Sequence, residues 1–308
     1  MIVTTTVDHV SLHALLAAES GDAAEAARLI ARGGVWVNSM RVRDPAMHLP
    51  AGATVVVKRP PGGIYRDPVV TAEMILYEDA DLIALNKPPG EYVEATPWDA
   101  DGHLRAALAR FLAWRDHGPP PPLHPAHRLD RDTSGVWLLS KTPDANAALH
   151  RAFHDHMAHK VYLALCAGEP SFTDLDIETG HGRGRGGRFR VFPPEVIGWT
   201  PPIGGTVRAM RTRLVVVRRL GDAALVRAWP LTGRTHQIRL HLASLGHPIV
   251  GDGTYGGPLV WRDGTVPHHR LHAERLALPH PRSGAPLVIA APLPAWAEEA
   301  GIGTMGSW

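Results

Sequence analysis

The spacing of apolar residues changes period several times along the chain, and each change marks an element. Residues 8 to 30, containing HVSLHALLAAESGDAAEAARLI, carry leucines and alanines at helical spacing with a break near Gly21. Gly33 and Gly34 stop that helix, Val35-Trp36-Val37 alternates as a short strand, and DPAMHLPAGATVVVKRP predicts a turn and a second strand. The proline- and glycine-rich stretch RPPGGIYRDP (59–68) breaks the pattern as a linker does.

Beyond it, MILYEDADLIALNKPPG (74–90) predicts two short strands around an acidic turn, and HLRAALARFLAWR (103–115) an amphipathic helix. GPPPPLHP is an extended connection, VWLLSK a strand, and TPDANAALHRAFHDHMAHK a helix capped by Thr142 or Asp144. KVYLALCAGEP is another strand, and residues 209–231 form a hairpin about Gly221-Asp222. Thr235 as N-cap, Gly246 as stop and Pro248 after it predict a helix from His236 to Leu245. Helices mixed with hairpins, rather than regular crossovers, predict an α+β protein on a largely antiparallel sheet. The expected divisions are a small domain over 1–60, a linker over 61–73 and a large domain over 74–308.

Composition narrows the picture. The chain has 308 residues, 44% hydrophobic and 20% charged, enough for a sizeable core. No apolar run reaches membrane-spanning length and no secretory signal pattern opens the sequence, so a cytoplasmic protein is expected. The single cysteine, Cys166, fits a reducing compartment and excludes intrachain disulfides and cysteine-based zinc motifs. Net charge is only +2, so contact with a polyanion must come from local patches. Only four of the 32 basic residues are lysines (Lys58, Lys87, Lys141 and Lys160). Arginine's planar fork suits phosphates and bases, though a GC-rich genome produces the same bias.

Candidate chemistry concentrates in HRLDRDTSG (127–135), where Arg128, Asp130 and Arg131 precede the VWLLSK strand. Such a turn is either a salt-bridged corner or the seat of a reactive carboxylate. LTGRTHQIRLHLASLGHP (231–248) supplies a partner, because Arg239 sits one turn into the predicted helix, and an arginine beside a carboxylate holds it ionised and aimed.

HRLDRDTSG, KVYLALCAG, GRTHQIRLH and NKPPG resemble, in type and arrangement, the motifs of the RluA-type RNA pseudouridine synthases, over roughly residues 74–295. The resemblance implies isomerisation of a uridine in structured RNA to pseudouridine, with no cofactor and no metal. It places Asp130 on the family's essential aspartate, which attacks the sugar or abstracts its proton. It implies that Arg128 helps extrude the nucleotide, that Tyr162 packs on the flipped base, that Arg239 pairs with the aspartate, and that Lys160 supports the pocket or a phosphate. EYVEATP, after the Lys87 corner, departs from the family's usual apolar run and is expected to reshape the pocket edge.

The N-terminal module resembles the S4 RNA-binding domain through LIARGGVWVNSMRV and PAGATVVV, but its first helices are acidic and alanine-rich. Arg28 and Arg41 are its candidate RNA contacts, with Arg32 and Arg43 also available. GHGRGRGGRFRVF (180–192) is the most basic segment; Arg183, Arg185, Arg188 and Arg190 are candidate phosphate contacts and Phe189 a candidate stacking surface. His150, His154, His156 and His159 share a predicted helix, but without carboxylates at ligand spacing beyond Asp155 they read as an exposed face rather than a metal site. The expected partner is structured RNA, ribosomal RNA ahead of transfer RNA, acted on by a monomer without obligate protein partner. The rival readings are a non-catalytic RNA-binding protein on a synthase fold and a hydrolase using Asp130. A hydrolase would want a second carboxylate better placed than Asp132.

Overall fold

The glycine break divides the first helical stretch in two. Helix α1 (Leu12–Ser20) ends on Gly21 in the left-handed conformation, and α2 (Ala23–Arg32) begins where the Asp22 side chain accepts from the amides of Ala24 and Glu25. The computed structural model describes residues 2–4, 10–184, 187–202 and 204–302. Ala26, Leu29 and Ile30 line one face of α2 and pack with Leu12, Leu16, Val35, Val37, Val55 and Val57. The strands behind that core form an antiparallel sheet in the order β1 (Ile2–Thr4), β4 (Thr54–Val57), β2 (Val35–Val37), β3 (Met40–Val42).

The chain divides into two compact units, Met1–Thr71 with Glu91–Pro120, and Ala72–Gly90 with Pro121–Trp308. The first break falls inside the expected linker. Residues 91–120, expected in the large domain, instead join the first unit, carrying α3 (Leu104–Arg115) with them. Hydrogen bonds give the reason. The Ala100 amide donates to the Arg32 carbonyl at 2.8 Å and Trp36 Nε1 to the Pro97 carbonyl at 2.8 Å. Arg32 also grips Asp67 with two bonds of 2.6 Å. EYVEATP therefore belongs to this unit.

The second unit is built on one large sheet. Its principal order is β10 (Phe189–Phe192), β9 (Asp174–Arg183), β11 (Arg208–Arg219), β12 (Ala223–Pro230), β8 (His159–Ala167), β13 (Leu271–Pro279), β7 (Ser134–Ser140), β6 (Leu82–Lys87), β5 (Ile75–Glu78). β14 (Pro286–Ala290) pairs with β13. Apolar side chains of β6, β7 and β13 pack against α4 (Pro143–His154) and those of β8, β11 and β12 against α5 (Gln237–Ser244), while the alternate residues Leu163, Leu165, Ala223 and Leu225 face the other way, against Trp296 and Ala297. α4 starts at the predicted Thr142 cap.

Antiparallel pairing prevails except between β7 and β13, which run parallel through only Ser134 with His272 and Gly135 with Ala273. At that crossing Gly135 has φ +101°, and a Cβ there would lie 2.2 Å from the Ala273 carbonyl oxygen. Only glycine permits the approach, so the last residue of HRLDRDTSG seats the turn that bears Asp130 against the centre of the sheet.

Candidate active site

The turn carrying Asp130 is held from below by a buried ammonium. Lys87, at the end of β6, donates from Nζ to the carbonyls of Pro88 at 2.9 Å, Arg131 at 2.6 Å and Thr133 at 2.8 Å, and the Gly90 amide also donates to the Arg131 carbonyl. A buried charge demands such satisfaction. The motif NKPPG thus serves as a clamp on the loop. Arg131 closes on its neighbour Asp132 at 2.7 and 2.8 Å, so the salt-bridged corner exists but leaves Asp130 out.

Asp130 turns instead to α5. Arg239 Nη1 donates to Asp130 Oδ2 at 2.8 Å, while its Nε and Nη2 donate to the two carboxylate oxygens of Asp252 at 2.6 and 2.8 Å. Arg239 and Asp252 are both buried, and the Tyr255 ring lies 5.0 Å from the guanidinium carbon. Burial alone would raise the Asp130 carboxyl, but the charges of His236 and Arg239 and the Arg239 hydrogen bond outweigh it and hold the group below the usual carboxylate range. Burial pushes His236 below its ordinary value against the pull of Asp130, which leaves the permanent charge of Arg239 to keep Asp130 ionised.

The helix bearing Arg239 starts one residue later than its sequence predicts, and Thr235 is not its cap. His236 occupies the N-cap with φ +59° and no capping side-chain bond. The Gln237 side chain does the local bonding instead, accepting from the Arg234 amide at 3.0 Å and from Thr232 Oγ1 at 2.7 Å. A non-glycine residue in the left-handed region is strained. Here it brings His236 Nδ1 to 2.8 Å from the Tyr255 hydroxyl and Nε2 to 3.7 Å from Asp130 Oδ1.

These groups open into a cavity of about 350 Å³ lined by Arg128, Asp130, Lys160, Tyr162, His236 and Arg239 among others. The five residues singled out in the motifs therefore converge on one space. Arg128 is exposed on its rim. Tyr162 lies on β8, and burial followed by the Asp130 charge raises its hydroxyl above the usual phenol range, so the ring enters the cavity un-ionised. Lys160 donates to the Thr232 carbonyl at 3.2 Å, and burial brings its ammonium down to about 8.

The basic segment is a β9–β10 hairpin rather than a bare loop. Arg183 lies 4.4 Å over the Phe189 ring and donates to the Gly187 carbonyl, and His181 stacks on the same ring at 4.8 Å. Phe189 is thus already engaged by its neighbours, which corrects its reading as an available stacking surface. Arg188 and Arg190 are exposed, Arg190 over Phe192; Arg185 lies outside the described residues. In the first unit Arg28 pairs with Glu25 and lies over Tyr65, and Arg41 lies over Trp36 while donating to the Thr96 carbonyl. Both are engaged internally.

Among the described residues the one group of side chains close enough to share a metal is Asp79, Asp81 and His280. Arg282 already binds both oxygens of Asp81, and Tyr77 and His280 bind Asp79, so those carboxylates are spent in ion pairs. His154 of the histidine-rich helix pairs with Asp155.

Sequence reasoning missed Asp252, Tyr255 and His236. Asp252 and Tyr255 lie in GDGTY (251–255), a turn where the amide of Thr254 donates to Asp252 Oδ1 and Gly251, at φ +85°, lets the backbone pass His268.

A carboxylate held ionised by a buried arginine, in a cavity walled by a tyrosine and rimmed by an exposed arginine, is equipped for nucleophilic or acid–base chemistry on a bound ligand. The family model described as RNA pseudouridylate synthase matches residues 81–244. RNA pseudouridine synthase 1 of Arabidopsis thaliana is 40% identical over 260 residues, covering 74% of this chain and 77% of the relative. The dual-specificity RNA pseudouridine synthase RluA of Vibrio cholerae is 34% identical, covering 68% and 78%. A solved structure, human RNA pseudouridylate synthase domain containing 1, superposes with a TM-score of 0.56 at 27% identity, covering 71% of this chain and 83% of that one. The chain belongs to the RNA pseudouridylate synthase family, of the RluA type. It is an isomerase acting on RNA.

Proposed function

We propose that this protein isomerises uridines of structured ribosomal RNA, with Asp130 as the reacting carboxylate. The Asp130–Arg239–Asp252 cluster carries the reading, because it supplies one ionised carboxylate whose direction is fixed by Arg239, itself held in place by Asp252. The isomerisation conserves atoms and electrons. The bond from N1 of the base to C1′ of the ribose breaks, a bond from C5 to C1′ forms, and one proton leaves C5 while N1 gains one. No co-substrate enters that balance. Uridine stacked in a helix is out of reach, so the nucleotide must leave the stack, and Arg128 on the rim is where its vacated position or its phosphate is met. Tyr162 packs against the flipped base, and Lys160, which binds the Thr232 carbonyl, steadies the opposite wall.

Ribosomal RNA is favoured over transfer RNA on two grounds. Relatives named ribosomal large subunit pseudouridine synthase C and D match most of this chain. The N-terminal part of the first unit, in which α1 and α2 pack against a small sheet, resembles the S4 type of RNA-binding domain that accompanies ribosomal members. The protein acts as a cytoplasmic monomer on this reading. The test is a pseudouridine-specific chemical label read across ribosomal and transfer RNA from cells with and without the gene, followed by restoration with purified protein. Loss and restoration at ribosomal sites is the expected result. Loss confined to transfer RNA overturns the choice of substrate.

A further inference from the structure

A second cavity, of about 320 Å³, shares the wall Gly233-Arg234-Thr235 with the first. Among the described residues it is lined by His181, Arg183, Arg208 and Arg234, with glycines and threonines between them and no acidic side chain. We infer that this cavity is a subsite for a backbone phosphate of the RNA strand, one nucleotide from the uridine held beside Asp130, with Arg208 and Arg234 as its cationic jaws. The inference rests on the proposed function and extends it to how the flanking strand is held.

The pairing pattern along β11 singles the site out. Arg211 meets Glu178 at 2.8 Å and Arg213 meets Asp174 at 2.6 Å, the usual neutralisation of charges across neighbouring strands. Arg208, three residues before Arg211, faces His181 in register, and among the described residues no carboxylate lies within ion-pair distance of it. Arg234 is half-buried and fixed by donation from Nε to the Ala209 carbonyl at 3.0 Å, likewise with no carboxylate partner among the described residues. Burial and then the charge of Arg208 lower the Arg234 guanidinium from its ordinary value, so the two cations repel. A fold that holds two like charges together without a counterion favours an anion between them.

The chemistry of the walls selects a phosphodiester. His181, itself buried, has Nε2 tied to the Thr235 carbonyl at 3.0 Å and one ring face tied to Phe189, so it shapes the floor rather than recognising a base. Gly205, where a Cβ would meet nothing within 4 Å, leaves the cavity open to a bulky tetrahedral group. Because the wall is common to both cavities, an anion here and a base in the first cavity can belong to adjacent positions of one strand.

The test measures binding of a short labelled oligouridylate across a salt series for the full-length wild-type chain, Arg208→Gln, Arg208→Lys and Arg213→Gln. Each phosphate contact to a single strand contributes about 0.7 to the slope of log affinity against log salt. R208Q is expected to lower the slope by about that amount and weaken binding about tenfold at low salt. R208K, which keeps the charge, retains the slope, and R213Q, an equal charge loss at an ion-paired site on the same strand, leaves it unchanged. If the wild-type chain converts RNA while R208Q and R213Q behave alike, the subsite is overturned and the proposed function stands. If the wild-type chain converts no RNA, both are overturned.

Discussion

Arg239 is the residue on which both stability and chemistry turn, and Arg239→Met separates the two. In the wild-type chain three charged hydrogen bonds tie it to Asp130 and Asp252. Removing one partner of a buried ionic cluster costs about 3–5 kcal/mol, because the charge left behind has lost both water and counterion. Asp252, only 2% exposed, bears most of that penalty. Taking its charge away as well should therefore help. R239M/D252N is expected to be about 1–3 kcal/mol more stable than R239M by urea denaturation, the desolvation of one unpaired buried group. The chemistry moves with Asp130. Arg239, donating to Asp130 Oδ2 at 2.8 Å, favours the ionised carboxylate through its charge and that hydrogen bond. In the wild type the folded value of Asp130 is depressed, so its contribution to stability is fully present above the unfolded aspartate value and is lost as pH falls through the lower folded one. Without Arg239 the burial penalty is unopposed, and the acid limb of the single-turnover rate should move upward towards neutrality. A double variant no more stable than R239M, or an acid limb that stays in place, would refute the reasoning.

Two further outcomes follow from the cavity's supports. Lys87→Met removes an ammonium from three carbonyls that frame the Asp130 turn; it should lower stability by about 2–4 kcal/mol and slow single-turnover conversion, and an unchanged rate in a folded variant would show that the clamp does not set the loop. Lys160 has its folded value lowered to about 8 by burial, so unfolding takes up a proton between there and the unfolded lysine range. Stability should thus rise as pH increases from about 8 towards 10 and that rise should vanish in Lys160→Met, read by thermal denaturation across the pH series.

The legible parts of this molecule were those encoded locally. Helix breaks at Gly21 and Gly33, the Thr142 cap and the hairpin at Gly221-Asp222 follow from backbone preferences of single residues, and each stands where the sequence puts it. Asp130 and Arg239 lie 109 positions apart, and their pairing was readable only because motif resemblance supplied the tertiary contact. Asp252 escaped notice because nothing local distinguishes an acidic turn residue on the surface from one buried beneath an arginine. The start of α5 was misread for a related reason. Thr235 has the better capping side chain, but the contact of His236 with Tyr255 imposes a conformation that local propensity disfavours. Strand β9 was missed although DLDIETGH alternates acidic with apolar residues, because what holds its acidic positions is the pairing of Asp174 and Glu178 with the arginines of β11 alongside. The assignment of residues 91–120 to the first unit rests on hydrogen bonds to the Arg32 carbonyl and from the Trp36 indole that no composition shift announces.

The central claim is that the Asp130 carboxylate performs the isomerisation. Asp130→Asn keeps the side chain's shape and its ability to accept from Arg239, while removing the charge. The most direct measurement incubates unmodified ribosomal RNA with purified wild-type and D130N protein, reads pseudouridine by chemical labelling, and compares RNA affinity in parallel. Pseudouridine formation abolished in D130N with affinity retained is the predicted result, since a carboxylate adds nothing attractive towards a polyanion. Conversion by D130N at a rate near the wild type, or equal loss of affinity and conversion, would contradict the account.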